Sequence, residues 1–219
     1  SGDEAKVFKR PIKPADMLKS AEFKSFFQSS IDLYQTDEQG RALVSFAAIG
    51  HCRLVFSGSE TVVGNNQPVI SEHCIGVHNG LITNDEEIWS EHNDIIRSLD
   101  TDTEIAYRLI DRYVEKTGNL QDAISQAFAE FKGTAALGFF RNDARVMVLV
   151  TNYGSIYTLS LSDSGIFLFA PNGRSDTNYW QGRARHNYNS SPKIPSTTRK
   201  SNRGFFGHHS RSCSACETT

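Results

Sequence analysis

The sequence predicts an α+β layered domain built around an antiparallel sheet. Three observations carry this. Apolar strand-like runs come early, amphipathic helical stretches follow them, and four short apolar runs then form a meander. The organised part spans residues 1–170, and residues 171–219 read as a separate tail. A chain of 219 residues fits one domain plus such an extension.

The elements follow in order. "PADMLKSAEFKSFFQ" places Met17, Leu18, Ala21 and Phe27 on one helical face, with Pro14 suited to a first turn. "ALVSFAAIGHCRLVF" (42–56) and "HCIGVHNG" (73–80) read as buried strands. "NDEEIWSEHNDIIRS" opens on the cap candidates Asn84 and Asp85 and repeats apolar positions at 88, 92, 95 and 96, His92 included. "TDTEIAYRLIDRYVEKTG" starts with Thr101 and has Glu104 three residues later, a capping box, and it closes on Gly118. "NLQDAISQAFAEFKG" carries an apolar stripe of Leu120, Ala123, Ile124, Ala127, Phe128 and Phe131. The meander is "TAALGFFR", "RVMVLV", "SIYTLSL" and "GIFLFA", with "NDA" turning between the first two.

Composition narrows the function classes. Hydrophobic residues make up 38% and charged residues 22%, as in ordinary globular proteins. No apolar run reaches the ~20 residues that span a bilayer, and "SGDEAKVFKR" has no signal-peptide core, so a cytoplasmic location without a membrane partner is expected. The net charge of −2 points to no specific nucleic-acid partner. The charge is unevenly spread: 15 Lys/Arg against 23 Asp/Glu in residues 1–170, and 8 against two in the tail. The tail, net +6 and rich in Ser, Asn, Arg and Gly, is expected to be disordered. Its His208, His209, Cys213 and Cys216 lack an apolar framework, so no metal site is assigned there. Cys52 and Cys74 lie in apolar runs and read as small buried hydrophobes.

Three motifs carry chemistry: "GHCRLVFSG" (50–58), "HNGLITN" (78–84) and "TDTE" (101–104). Each has an ordinary structural reading. Arg53 could pair on a surface, Asn79-Gly80 could form a hairpin turn, and Asp102 could simply complement a helix dipole. Together they form a coherent set. A guanidinium grips a carboxylate bidentately, and a carboxylate holds an ammonium, so Arg53 and Asp102 suit the backbone end of a free amino acid. Asn79 offers a side-chain N–H and Gly80 an unshielded backbone N–H, two donors fit for an oxyanion hole. The three groups are expected around a common hollow.

The ordered set "GHCRLVFSG", "NNQPV" (65–69), "VHNGLITN" and "DTDTEIAYRLI" (100–110) resembles the glutaminase domain of class II glutamine amidotransferases, and the resemblance continues through "FKGTAALGFFRND" and "VTNYGSIY". It implies the N-terminal-nucleophile hydrolase fold, a four-layer α/β/β/α sandwich. It also implies hydrolysis of the L-glutamine side-chain amide, with ammonia passed to a synthase partner and no cofactor. Arg53 would hold the glutamine carboxylate and Asp102 its ammonium, Asn79 and Gly80 would form the oxyanion hole, and Leu54, Val55, Phe56, Ser57 and Leu81 would line the pocket. The "NNQP" run resembles members tied to surface-sugar or asparagine-synthetase-like amidation.

The family's nucleophile is an N-terminal cysteine followed by glycine and an apolar strand. Two readings of "SGDEAKVFKRP" compete. Ser1 replaces the cysteine, or the nucleophile segment is missing from this chain and the fold is incomplete. The charged, proline-ended stretch is poor strand material and favours the second. A non-catalytic binding or regulatory module is the alternative to a glutaminase.

Overall fold

The computed structural model describes residues 5–32, 37–40, 43, 45–52, 59, 61–161 and 165–172. Its elements are α1 (Pro14–Met17), α2 (Ala21–Ile31), β1 (Val69–Ile70), β2 (Cys74–Ile82), α3 (Asp85–Glu91), α4 (Asp102–Thr117) and α5 (Leu120–Glu130). They are followed by β3 (Gly133–Arg141), β4 (Val146–Thr151), β5 (Ser155–Leu161) and β6 (Ile166–Asn172).

Helix α4 organises the core. The Thr101 hydroxyl accepts the Thr103 N–H at its start, and Gly118 ends it in the left-handed conformation with φ 65°. Ile105, Ala106, Tyr107, Leu109 and Ile110 are fully buried along its inner face. Each large apolar side chain buried there contributes about 1.5–3 kcal/mol. The anticipated capping box is not formed: Thr101 caps the Thr103 N–H and not that of Glu104, and the Glu104 carboxylate accepts the Ser98 N–H at 3.0 Å and the Leu99 N–H at 2.7 Å.

The four-stranded sheet runs β1-β2-β3-β4, antiparallel throughout. Its pleat sorts side chains by parity. Cys74, His78 and Ile82 from β2, Ala135, Leu137 and Phe139 from β3, and Val148 and Val150 from β4 are all buried, and the Phe139 ring meets Tyr107 of α4 edge-on. Gly76 lies on this face because a Cβ there would come within 2.4 Å of the Tyr107 hydroxyl oxygen. Val77, Asn79, Ala136, Gly138 and Leu149 belong to the other face, and Phe169 of the β5-β6 ribbon lies over Gly138. Helices, sheet and ribbon thus stack as three successive layers, in the α/β/β order of the expected sandwich.

A buried charged network closes the end of β2 far from Asn79. Arg141 donates to Asp111 at 2.7 Å and to Asp143 at 2.7 Å, while Ser71 donates to Asp111 at 2.6 Å. The Cys74 thiol, fully buried beside Asp111, is pushed far above its ordinary range by burial first and by the Asp111 charge second.

Several expectations are corrected. The helix anticipated after Pro14 is two helices, divided where Ser20 caps α2, and neither buries a residue; Leu18 and Phe27 are exposed. The strand anticipated over 42–56 is not formed over residues 45–52, which lack regular structure, and Phe46 and Cys52 are exposed. Helix α3 stops at Glu91 and leaves Ile96 79% exposed, because His92 turns to Glu130 (2.8 Å) as the helix ends. Asn84 precedes α3 without a side-chain cap. Its amide donates to the Glu130 carbonyl and accepts the Lys132 N–H, tying α5 to β3. The β6 backbone continues to Asn172, two residues past the anticipated boundary, and the tail beyond it lies outside the described residues.

Candidate functional site

The site is built on β2. Asn79 and Gly80 do not form a hairpin turn: both lie within the strand, opposite Ala136 and Ala135 of β3. Backbone groups of an antiparallel strand alternate between its two edges. The Leu81 N–H donates to the Thr134 hydroxyl on the β3 side, whereas the Ile82 N–H donates to Asp102 Oδ2 at 2.9 Å on the opposite edge. His78 also uses that opposite edge. Its N–H donates to Gln67 Oε1 at 2.5 Å, and its carbonyl accepts from Gln67 Nε2 at 2.8 Å.

Gly80 lies between these two. Its N–H faces the same edge, where β1 has already ended at Val69. Strand rise puts successive donors on one edge about 7 Å apart. Glycine is required here by geometry. Its φ is +144°, and a Cβ would approach the Thr134 carbonyl oxygen to 2.1 Å and His78 Nε2 to 3.0 Å.

Asp102 is 6% exposed. Oδ2 receives Ile82, and Oδ1 has long contacts from the Thr101 and Thr103 hydroxyls at 3.4 and 3.5 Å. The His78 ring, 3% exposed, has Nδ1 3.6 Å from Asp102 Oδ2 and 3.2 Å from the Thr103 hydroxyl, and Nε2 3.4 Å from the Thr134 carbonyl. Nε2–H facing a carbonyl and Nδ1 facing a hydroxyl fit the neutral imidazole. Burial lowers the His78 pKa, outweighing the opposing pull of Asp102 and of the Thr134 carbonyl. Asp85, in the first turn of α3, has a raised pKa from burial first and from the Asp102 charge second. The negative potential at this edge favours a cationic group.

A separate hollow of about 240 Å³ opens on the other sheet face, lined by Asn79, Val77, Leu149 and His51 and, across from them, Phe167 and Phe169 of β6. Asn79 faces this hollow, whereas Asp102 approaches from the helix layer. The two therefore lie on opposite faces of β2 and do not share this hollow, which corrects the expectation of a common hollow for them. Leu81 is 37% exposed and does not line the hollow. Arg53, Leu54, Val55, Phe56 and Ser57 lie outside the described residues.

A family model described as a glutamine amidotransferase domain matches residues 51–174. The chain belongs to the glutamine amidotransferase domain family. Arg53, Asn79, Gly80 and Asp102 all fall inside the matched segment of this amidotransferase domain. The glutamine–fructose-6-phosphate aminotransferase (isomerizing) of Bradyrhizobium diazoefficiens is 32% identical over 133 residues, 59% of this chain and 22% of that protein. The Bacillus subtilis protein of the same name is 28% identical over 121 residues, 54% of this chain and 20% of that protein. The chain spans about a fifth of the length of these curated relatives. Among solved structures, the glutamine phosphoribosylpyrophosphate amidotransferase of B. subtilis in complex with ADP and GMP aligns with a TM-score of 0.41 and 22% identity, over 52% of this chain and 25% of that chain.

The motifs of the amidotransferase domain did not single out Gln67 or Thr103, and they set His78 beside the expected pocket without a catalytic role. The sequence signal was a polar Gln-Pro step just ahead of a strand, which does not name the strand edge the amide will reach.

Proposed function

We propose that the chain binds free L-glutamine along the outer edge of β2 and serves the hydrolysis of its side-chain amide, supplying ammonia to a synthase partner. The observation that carries this reading is the Asp102 carboxylate at Ile82, one donor position along the edge from the Gly80 N–H. The spacing of about 7 Å matches an amino acid whose ammonium lies at Asp102 and whose side-chain carbonyl reaches Gly80.

In this reading Asp102 holds the ammonium and Arg53 the carboxylate, bidentately. The amide carbonyl points at the Gly80 N–H and the Asn79 side chain. When a nucleophile adds to that carbon, negative charge develops on the oxygen, and the two preorganised donors stabilise it more than they stabilise the neutral amide. Collapse of the adduct releases ammonia. Leu81 and residues Leu54–Ser57 supply walls for the methylene groups. Cys74 is excluded as the attacking group, since its thiol is fully buried and held protonated.

Two assays test the reading. Ammonia release measured with and without Ser1→Ala reports any serine-dependent turnover. Calorimetry with glutamine reports binding whether or not turnover occurs. Binding lost in Arg53→Ala supports the clamp, and binding unchanged in that variant refutes it.

A further inference from the structure

We propose that Gln67 is a positioning residue for the oxyanion end of this site, an inference that rests on the glutamine-binding reading above. Strand β1 pairs with β2 only at Val69–Gly76 and Ile70–Ile75, so beyond Gly76 no strand covers that edge of β2 among the described residues. The Gln67 side chain continues the ladder. Its amide offers one acceptor and one donor in the same sense as a strand residue, and it takes both backbone groups of His78, at 2.5 and 2.8 Å.

Two consequences follow. The peptide units flanking His78 are held in place on the edge side by a side chain, and on the helix side the His78 ring is held by Thr103 and the Thr134 carbonyl. His78 immediately precedes Asn79 and Gly80, so this grip sets the direction of both proposed donors. The amide also stops the ladder at His78. A true strand in its place would continue and occupy the next inward donor, the Gly80 N–H. Gln67 thus braces the strand and leaves Gly80 open to a ligand oxygen.

The test is Gln67→Met, which preserves side-chain length and removes both hydrogen bonds. Calorimetry is run with L-glutamine and with L-norvaline, which keeps the ammonium, carboxylate and chain but has no amide. Wild type is expected to prefer glutamine. In Gln67→Met that preference should fall about tenfold, while norvaline affinity stays within about twofold. The His78 amide should exchange hydrogen rapidly in the variant while amides at Cys74–Val77 keep their protection. Gln67→Glu keeps an oxygen for the His78 N–H but loses the donor to its carbonyl, and it should fall between the two. Resistance of Cys74 to thiol reagents reports that each variant is folded. If the variant is folded and its glutamine preference is unchanged, the inference is overturned and the glutamine-binding reading stands. Failure of wild type to bind either amino acid overturns the underlying reading and this inference with it.

Discussion

Asp102 Oδ2 accepts the backbone N–H of Ile82 at 2.9 Å, joining the first turn of α4 to the end of β2. Ile82 is 1% exposed, so its N–H has no water to turn to when this acceptor is removed. Asp102→Ala should therefore cost about 1–3 kcal/mol in denaturant unfolding. Asp102→Asn keeps an oxygen in place and should cost less than half as much.

Gly80→Ala tests the strand geometry directly. The new Cβ would sit 2.1 Å from the Thr134 carbonyl oxygen, at a φ that L residues rarely adopt. Backbone must move, and the expected loss is at least about 2–3 kcal/mol, measured as a shift in the urea midpoint. A loss under about 0.5 kcal/mol would mean that β2 and β3 are not as closely apposed as described.

His78 gives a signed pH dependence. Its pKa is lowered on folding by burial, so the stability tied to the neutral ring is fully present above the unfolded value of about 6.5. It is lost as pH falls from there through the depressed folded value. The ring faces Asp102 and Thr103 from α4, the Thr134 carbonyl from β3, and Asp85 beyond Asp102. Thermal unfolding followed from pH 8 to pH 5 should show this decline, and His78→Gln should flatten it. Glutamine affinity should weaken only lower down, as pH falls through the depressed folded value, because an imidazolium 3.6 Å from Asp102 then competes with the ligand's ammonium.

At the other end of β2, Arg141 and Asp111 form a buried pair with side chains 1% and 7% exposed. Removing Asp111 leaves the buried Arg141 with Asp143 alone, a partner 37% exposed. Asp111→Ala should destabilise by about 3–5 kcal/mol in guanidinium unfolding. The native wild-type protein should leave Cys74 unlabelled by a thiol reagent while the exposed Cys52 reacts.

Much of the fold was legible in local patterns. The Thr101 cap and Gly118 stop bounded α4, the alternating apolar runs located β3 to β6, and the apolar stripe of α5 placed Ala123, Ile124 and Ala127 inside. What failed depended on partners outside the element itself. Glu104 left its capping box because the Ser98 and Leu99 N–H groups offered a better fit, and His92 ended α3 by pairing with Glu130. The apolar content of 42–56 suggested a strand, but a strand also needs a neighbour, and residues 45–52 have no ladder. For the site, residue types named the candidate groups, and strand parity decided which face of β2 each occupies. Asn79 and Asp102 arrive from opposite faces of β2, an arrangement that motif order alone does not encode.

The most direct measurement is titration calorimetry of L-glutamine into the wild-type chain and into Asp102→Asn. Saturable heat with wild type, weakened about 10- to 100-fold in the variant by loss of one charged hydrogen bond, is the expected result. No heat with wild type, or equal affinity in both proteins, would contradict a glutamine site at the Asp102–Gly80 edge.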